Sequence, residues 1–409
     1  MKPTTRKHNP SRQHEHAGGE WMQRLFAGLA LGMVVLSAQC VWAQPLDKAK
    51  EAVFKKQFDA QTIGIELKLQ GEYVGKNSEK QVGVQVAGRG NKSFHALVLE
   101  GGLPEDGWDG GRYGLLESGP MADGRVEFSS PSDEGLSAVL DENGLMLKRG
   151  GQQTLLKRVE RKSTTLGMPP PKGAIVLFGG AQPNVDPFEQ RKDIEGETSP
   201  LMYENNLMAG AVTKRKFRDF TLHAEFMTGW EPLAIPWRRA DSGIYMLSRY
   251  EVAIGDNFGF DFDVSNSVAP NRPKLLDNIK SPKFSLTQEH KRTPRVCGSV
   301  FGMDYPGKVP NPCLPPVVWQ TVDVEFQAPR FDTAGKKTSN AVMSVKLNGH
   351  QTVEKLQVKG PTPHGFRGPE APDGPIWFES FGANGFSRRV LYRNIWVVER
   401  EASQSKHKE

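Results

Sequence analysis

The sequence predicts an all-β protein, on two observations. Short runs of alternating apolar and polar residues recur along the 409-residue chain, and Gly, Pro or Asn/Asp-Gly pairs separate them. Helical periodicity is scarce, with one candidate amphipathic helix at residues 48–58. We therefore expect a chain of antiparallel sheets joined by turns.

The first segment, residues 1–43, has the pattern of a secretory signal peptide with a polar N-terminal extension. Residues 25–38 form an apolar run, and a small-residue cleavage site ends at Ala43. The extension is long for such a signal, so the start is Met1 or Met22. A membrane anchor is the alternative, but the 14-residue run is shorter than the roughly 20 residues that a bilayer span needs. We expect an exported protein, periplasmic or extracellular, with no stable membrane span after cleavage.

The charge of the chain does not indicate a nucleic-acid partner. Residues 1–43 carry five basic and two acidic residues, so their removal lowers the net charge from +6 to +3. No stripe of Lys and Arg interleaved with aromatic residues is present. Cys297 and Cys313 are the cysteines left in the mature chain. In an exported protein such a pair predicts a disulfide rather than a metal site.

Composition divides the mature chain into two β units. Residues 44–160 hold short strands spaced like those of a small antiparallel sheet or barrel. Their Gly-rich acidic loop, residues 101–114, is more typical of turns and a packing tryptophan than of a cation site. Residues 161–173 contain three consecutive prolines and predict an extended, semi-rigid linker. A larger β unit follows at residues 174–400, and residues 401–409 form a flexible tail.

The run at residues 242–259 is the most informative, because its two predicted strand faces differ in chemistry. The predicted core face consists of Ile244, Met246, Tyr250, Val252 and Ile254. The other face, predicted to be exposed, consists of Tyr245, Leu247, Arg249 and Glu251, with Asp256 just beyond the strand end. An aromatic ring, a guanidinium and a carboxylate form a set that suits a sugar. A turn at Ser248–Arg249 would break this alternation.

The strand at residues 220–228 repeats the pattern. Its predicted core face consists of Phe220, Leu222, Ala224 and Phe226, and its polar face includes His223 and Glu225. If both strands line one concave surface, His223 and Glu225 converge with Tyr245, Arg249 and Glu251. Polar outward faces and cross-strand ion pairs without any function are the alternative.

One block of the sequence resembles the 3-keto-disaccharide hydrolase domain family. It spans residues 297–337 and includes CGSVFG and NPCLPPVVWQTVDVEFQAPRFDTAGKK, with SGIY and RYEVAIGDNFG before it and LYRNIWVVE after it. The resemblance covers about residues 173–400. The preceding unit looks like a β domain often found ahead of this family, in two-domain members of the planctomycete type. The resemblance implies a concanavalin-like jelly-roll β-sandwich that acts on oxidised glycosides.

The implied chemistry starts from a ketone at sugar carbon 3, which acidifies the hydrogen on carbon 2. A carboxylate or His removes that proton as general base, and an arginine or a divalent metal stabilises the enolate. The glycosidic oxygen then leaves, and water adds back, which gives net hydrolysis. Our first hypothesis is an enzyme of this kind, with Glu251 or Glu225 as base, Arg249 as oxyanion stabiliser and Tyr245 as stacking platform. Four further residues are expected to contact the carbohydrate: His223, Asp241, Asp256 and Glu379.

The sequence departs from the family pattern at three places. Asp241 stands where the family usually has Asn, and Ala253 where it has Gln. FESFG replaces the common LQDHG, so that Glu379, Ser380 and Phe381 stand for Gln, Asp and His. This change could remove a catalytic or metal-binding group. Two alternatives therefore stay open: a non-catalytic carbohydrate-binding module, and a structural or adhesive surface protein.

Overall fold

A computed structural model describes residues 48–77, 80–110, 113–180, 185–190, 201–234, 238–259, 296–303, 310–366, 368–380 and 389–400. The chain divides into two compact units, Met1–Cys40 and Val41–Glu409, and the described residues all belong to the second. The predicted signal segment and the predicted tail lie outside the described residues.

Strands are the main regular structure of the described residues, which confirms the predicted all-β class. Three short helices precede them: α1 (Lys48–Phe58), which confirms the predicted helix, α2 (Ala60–Ile63) and α3 (Ile65–Leu69). The first ten strands are β1 (Gly71–Asn77), β2 (Lys80–Gly90), β3 (Ser93–Glu100), β4 (Leu103–Pro104), β5 (Gly107–Trp108), β6 (Tyr113–Ser118), β7 (Val126–Ser129), β8 (Leu136–Asp141), β9 (Gly144–Arg149) and β10 (Gln152–Val159). No helix among these residues is both long enough and apolar enough to cross a membrane.

The remaining strands lie between residues 175 and 399. They are β11 (Ile175–Phe178), β12 (Phe188–Glu189), β13 (Met202–Tyr203), β14 (Asn206–Met208), β15 (Ala211–Phe217), β16 (Phe220–Thr228), β17 (Ser242–Met246), β18 (Tyr250–Ile254), β19 (Gln320–Gln327), β20 (Arg330–Phe331), β21 (Lys337–Ser339), β22 (Ala341–Leu347), β23 (His350–Val358), β24 (Gly374–Phe378) and β25 (Val390–Glu399).

The first β unit is a closed barrel with the strand order β1-β10-β9-β8-β7-β6-β3-β2. Closure pairs the strands on both sides and leaves no open sheet edge. Apolar side chains such as Val84, Val98 and Leu140 fill the barrel core. The Gly-rich loop outside the barrel packs Trp108 against Leu97, which confirms its predicted role as a packing element.

The second β unit is a sandwich of two sheets, as predicted. The larger sheet has the order β13-β14-β25-β16-β19-β22-β23, with β11 also paired to β25; the smaller has the order β12-β15-β24-β17-β18. The core between the sheets takes one face of each strand. The predicted core residues all belong to it: Phe220, Leu222, Ala224, Phe226, Ile244, Met246, Tyr250, Val252 and Ile254. Side chains on the other faces therefore lie on opposite outer sides of the sandwich.

Part of the linker is bound along the outer face of the larger sheet, which differs from the predicted spacer. We call residues 163–168 the strap. Thr165 Oγ1 donates to Asp323 Oδ2 (3.2 Å), and the N–H of Gly167 donates to Glu225 Oε1 (2.7 Å). The physical reason is that polar side chains of this face satisfy hydrogen-bonding groups of the strap.

The barrel packs directly against the sandwich. The ring of Trp230 lies over Gly88 of β2, where an added Cβ would approach the ring to 2.2 Å. His95 of β3 hydrogen-bonds through Nε2 to the carbonyl oxygen of Gly259. Barrel and sandwich thus belong to one compact unit, and a division into separate domains at the linker stays a prediction.

Candidate functional site

The candidate site is built on the hairpin of β17 and β18. β17 ends at Met246 and β18 begins at Tyr250, so a three-residue turn joins them, with φ values of 51° at Leu247 and 54° at Ser248. Tyr245 and Glu251 are therefore directly opposite each other, on the face turned away from the core. The turn also corrects the predicted face, because Leu247 packs into the core and Arg249, the last residue of the turn, lies outside both strands.

One row of side chains crosses the outer face of the smaller sheet. Val212 pairs with Trp377, Trp377 with Tyr245, and Tyr245 with Glu251; we call these four residues the first row. The ring of Tyr245 packs on Trp377 with centroids 4.6 Å apart. Its O–H donates to Glu251 Oε2 at 2.6 Å. Tyr245 and Glu251 are both 0% exposed, so the face that the sequence predicted to be exposed is covered.

The segment at residues 298–301 extends the smaller sheet beyond β18. Val300 forms a β-bridge with Val252, and the N–H of Phe301 donates to the carbonyl oxygen of Glu251 (3.2 Å). Because Val300 belongs to the core, alternation turns Phe301 outward beside Glu251. The first row therefore continues into Phe301, which is half-buried.

A second row lies one step along the strands and consists of Glu379, Gly243, Ala253 and Ser299. The N–H of Glu379 donates to Gly243 O (2.8 Å), Gly243 pairs with Ala253, and the N–H of Ala253 donates to Ser299 O (2.9 Å). A Cβ added at Gly243 would lie 2.7 Å from Glu251 Oε1. The carboxylate of Glu251 thus lies over Gly243, whose other neighbour is Glu379.

The hydroxyl of Ser299 is buried, and no hydrogen-bond partner for it exists in the part of the chain that the structure describes. Buried hydroxyls usually have a partner. Ser299 shares the outward face with Phe301, two residues later. Its hydroxyl is therefore a hydrogen-bonding group of the second row, next to Phe301.

A loop at residues 362–366 is tied to the end of the hairpin. The Oγ1 of Thr362 accepts from the N–H of Glu251 (2.9 Å), and the N–H of Thr362 donates to Arg249 O (2.9 Å). The O–H of Tyr245 reaches Pro363 O at 3.4 Å. These bonds fix the loop at the level of the first row.

His364, the next residue of this loop, stacks on Phe301. Their ring centroids lie 5.9 Å apart with an interplanar angle of 27°. His364 is exposed and has a φ of 65°.

The guanidinium of Arg249 contacts the turn and the loop. Its Nη1 donates to Leu247 O and its Nε to Pro369 O, both at 3.0 Å, and it lies 4.8 Å from the ring centroid of Phe366. These contacts hold the hairpin end against the loop. A role for Arg249 as oxyanion stabiliser stays a prediction.

The expected convergence of His223 and Glu225 with Glu251 is wrong. β16 belongs to the larger sheet, so its polar face lies on the opposite outer side of the sandwich. Glu225 accepts from Arg393 Nε (2.7 Å) as well as from the strap. His223 Nδ1 lies 2.6 Å from Asp323 Oδ1. The contacts of both side chains stabilise the outer face of the larger sheet.

Asp256 and Asp241 are buried near the ends of the hairpin strands. Asp256 Oδ2 lies 2.8 Å from Arg239 Nη2, and burial raises the pKa of Asp256 although Arg239 lowers it. Asp241 immediately precedes β17 and is buried. Carbohydrate contacts of Asp241 and Asp256 stay predictions.

The structure holds Cys297 and Cys313 as buried free thiols, so the predicted disulfide is absent from it. A hydrogen bond with the Cys297 thiol, and then burial, raise the pKa of the Cys313 thiol. Asn311 joins the two segments, because its Nδ2 donates to Cys297 O (2.7 Å) and its Oδ1 accepts from the N–H of Cys313 (3.2 Å).

Within the described ranges, no group of three or more His, Cys, Asp or Glu side chains is arranged to hold a metal ion. A divalent metal, which the sequence left open, stays untested. Phe381 of the departing FESFG segment lies outside the described residues.

Sequence reasoning missed Trp377, Ser299 and Phe301 as members of the site. Trp377 and Ser299 come from segments more than 40 residues from β17 and β18, so strand alternation alone could not place them beside the hairpin. The run at residues 374–380 carried a partial signal, because Trp377 and Glu379 are two positions apart and so fall on one face of a strand.

Residues 173–398 match the family described as 3-keto-alpha-glucoside-1,2-lyase-like domain. A crystal structure of a protein from Parabacteroides distasonis ATCC 8503, provisionally named a glycosyl hydrolase, is 23% identical with a TM-score of 0.38. That match covers 56% of this chain and 85% of the other. No curated protein matches this chain. The family match spans both sheets of the sandwich and both rows of the candidate site.

Proposed function

Residues 173–398 make this chain a member of the 3-keto-α-glucoside-1,2-lyase-like domain family, and we propose that it cleaves 3-keto-glycosides with Glu251 as general base. The observation that carries this proposal is the buried pair of Glu251 and Tyr245 in the first row. The O–H of Tyr245, 2.6 Å from Oε2, fixes one oxygen of the carboxylate. The other oxygen, Oε1, lies over Gly243 and the second row.

The reaction is an elimination followed by an addition. Glu251 removes the proton from carbon 2, and the electron pair moves toward the ketone as an enolate. The enolate then expels the glycosidic oxygen from carbon 1; this oxygen takes up a proton and leaves as an alcohol, and a double bond between carbons 1 and 2 remains. Water adds its hydroxyl to carbon 1 and a proton returns to carbon 2, so the net change is hydrolysis.

Glu379 and Ser299 are the further polar groups of the second row. In this proposal Ser299 donates a hydrogen bond to an oxygen of the reacting sugar. Glu379 serves the leaving oxygen or the returning water, because it neighbours Gly243, over which the Glu251 carboxylate lies. Such positioned donors and acceptors act where charge develops in the transition state.

The test measures sugar release from 3-keto-trehalose and from a chromogenic 3-keto-glucoside. We expect Glu251→Gln to lower kcat by roughly 10²- to 10⁴-fold, the usual contribution of a general base. Glu225→Gln is the matched control, since it removes a buried carboxylate from the opposite outer face. Thermal unfolding confirms that each variant is folded. A folded Glu251→Gln protein with the wild-type rate would show that the base is another group.

A carbohydrate-binding protein without catalysis is the second candidate. The observation that favours it is the replacement of the common Gln and Asp by Glu379 and Ser380 next to the site. Calorimetric binding of 3-keto-trehalose with no sugar released, in wild-type protein, would support this candidate. Release that depends on Glu251 would reject it.

We also propose that the protein is exported and meets its carbohydrate in the periplasm or outside the cell. The apolar run before Ala43 supports export. N-terminal sequencing of the protein from its native host should find Gln44 as the first residue. An intact residue 1 or 22 would reject cleavage at this site.

A further inference from the structure

Solvent is close to Glu251 on one side of the first row. At one end, the exposed Glu189 pairs with Val212, and three buried side chains separate it from Glu251. At the other end, the half-buried Phe301 is the direct neighbour of Glu251 and carries the exposed His364 on its ring. Along the first row, the shorter path from solvent to Glu251 therefore passes Phe301.

The pair of Phe301 and His364 is held in place on both sides. Phe301 is tied through its backbone to Glu251. His364 follows Pro363, which Tyr245 contacts, and precedes Gly365, where an added Cβ would lie 2.7 Å from Arg249 O. The two rings thus have a fixed position relative to the carboxylate.

We propose that Phe301 and His364 form the platform on which the leaving part of the substrate rests. This proposal rests on the proposed function. The bond that breaks joins carbon 1 to the leaving group, so a ring with carbon 2 at Glu251 directs its leaving group along the path to solvent. The apolar face of a sugar packs well on flat aromatic rings, as in other aromatic contacts. The sequence assigned stacking to Tyr245, but that ring is buried against Trp377.

The test distinguishes binding of the leaving group from binding of the reacting ring by comparing substrates with and without a second sugar. His364→Asn removes the ring and keeps a residue that tolerates a positive φ, and Phe301→Leu keeps an apolar side chain without a flat face. We expect each to raise KM for 3-keto-trehalose about 3- to 10-fold, the equivalent of one aromatic contact, with kcat little changed. KM for methyl 3-keto-α-glucoside, which lacks the second sugar, should not change. His350→Asn, at the start of β23 in the larger sheet, is the matched control.

A binding measurement keeps this test independent of turnover. Calorimetry on Glu251→Gln protein gives the Kd of 3-keto-trehalose without consuming it, and His364→Asn in this background should raise that Kd by a similar factor. If wild-type protein releases no sugar and this Kd still rises, the catalytic proposal is wrong and the platform stands. If release proceeds and both variants keep wild-type KM, the platform is wrong. Failure of the sugar to bind at all overturns both.

Discussion

The hydroxyl of Ser299 is a single group whose replacement should separate stability from function. It is 1% exposed as part of Ser299 and has no partner within the described chain. Ser299→Ala removes no hydrogen bond formed among the described residues, so we expect the free energy of unfolding to change by about 1 kcal/mol or less. The Kd of 3-keto-trehalose should rise several-fold, because the sugar loses a donor.

Denaturant unfolding and calorimetry on the same preparation measure both quantities. Ser137→Ala, on β8 of the barrel, is the control, because it makes the same substitution in the other β unit, away from the candidate site. A large loss of stability with unchanged affinity would mean that Ser299 serves the fold and not the ligand.

The two thiols give a second prediction at the residue scale. Cys297 and Cys313 are each 1% exposed, and the pKa of the Cys313 thiol is raised. Less thiolate and no access both slow reaction with a disulfide reagent. We expect neither cysteine to react in the native protein, and both to react after unfolding without reductant. No reactive thiol after unfolding would mean that the disulfide predicted from the sequence forms after all.

The hairpin of β17 and β18 acts as one element, because its strand pairing places Glu251 over Gly243. In Gly243→Ala, the new Cβ would meet Glu251 Oε1 at 2.7 Å, so the carboxylate must move. We expect kcat to fall about tenfold or more, since small displacements of a catalytic group are costly. Gly119→Ala is the control, as nothing lies within 4 Å of its Cβ. Equal rates for both variants would contradict the placement of Glu251.

At the scale of elements, the sequence predicted which face of a strand is buried better than it predicted which strands pair with each other. Alternation correctly assigned Ile244 and Phe226 to the core, because burial on one face imposes a period of two. It could not show that β16 and β17 belong to different sheets, since strand pairing joins residues far apart in the chain. The sequence left open a turn at Ser248–Arg249, and the structure has one at residues 247–249, where the positive φ values of Leu247 and Ser248 occur without Gly or Asn. That turn sets the register of the hairpin and so determines that Tyr245 lies opposite Glu251.

The contact between barrel and sandwich makes the stability of the whole molecule sensitive to acid. Burial, and then repulsion by Arg89, hold the pKa of His95 well below its ordinary value of 6.5. Below about pH 6.5 the unfolded chain therefore binds a proton at His95 that the folded chain does not. The free energy of unfolding falls as the pH falls through this range.

We expect the Tm to drop between about pH 7.5 and about pH 5.5 by more in wild-type protein than in His95→Gln. Differential scanning calorimetry measures both. The raised pKa of Asp256 acts in the opposite direction, but it is present in both proteins and cancels in the difference. Parallel pH profiles would show that His95 does not carry this dependence.

The strap has a consequence for what counts as the folding unit. The family match begins at residue 173, yet Gly167 and Thr165 bind Glu225 and Asp323 inside the matched region. A fragment cut at the family boundary would lose these partners of two carboxylates on the larger sheet. The stretch that matches the family and the stretch that completes the sandwich thus begin at different residues, so any truncation meant to isolate the sandwich has to begin before Ser163.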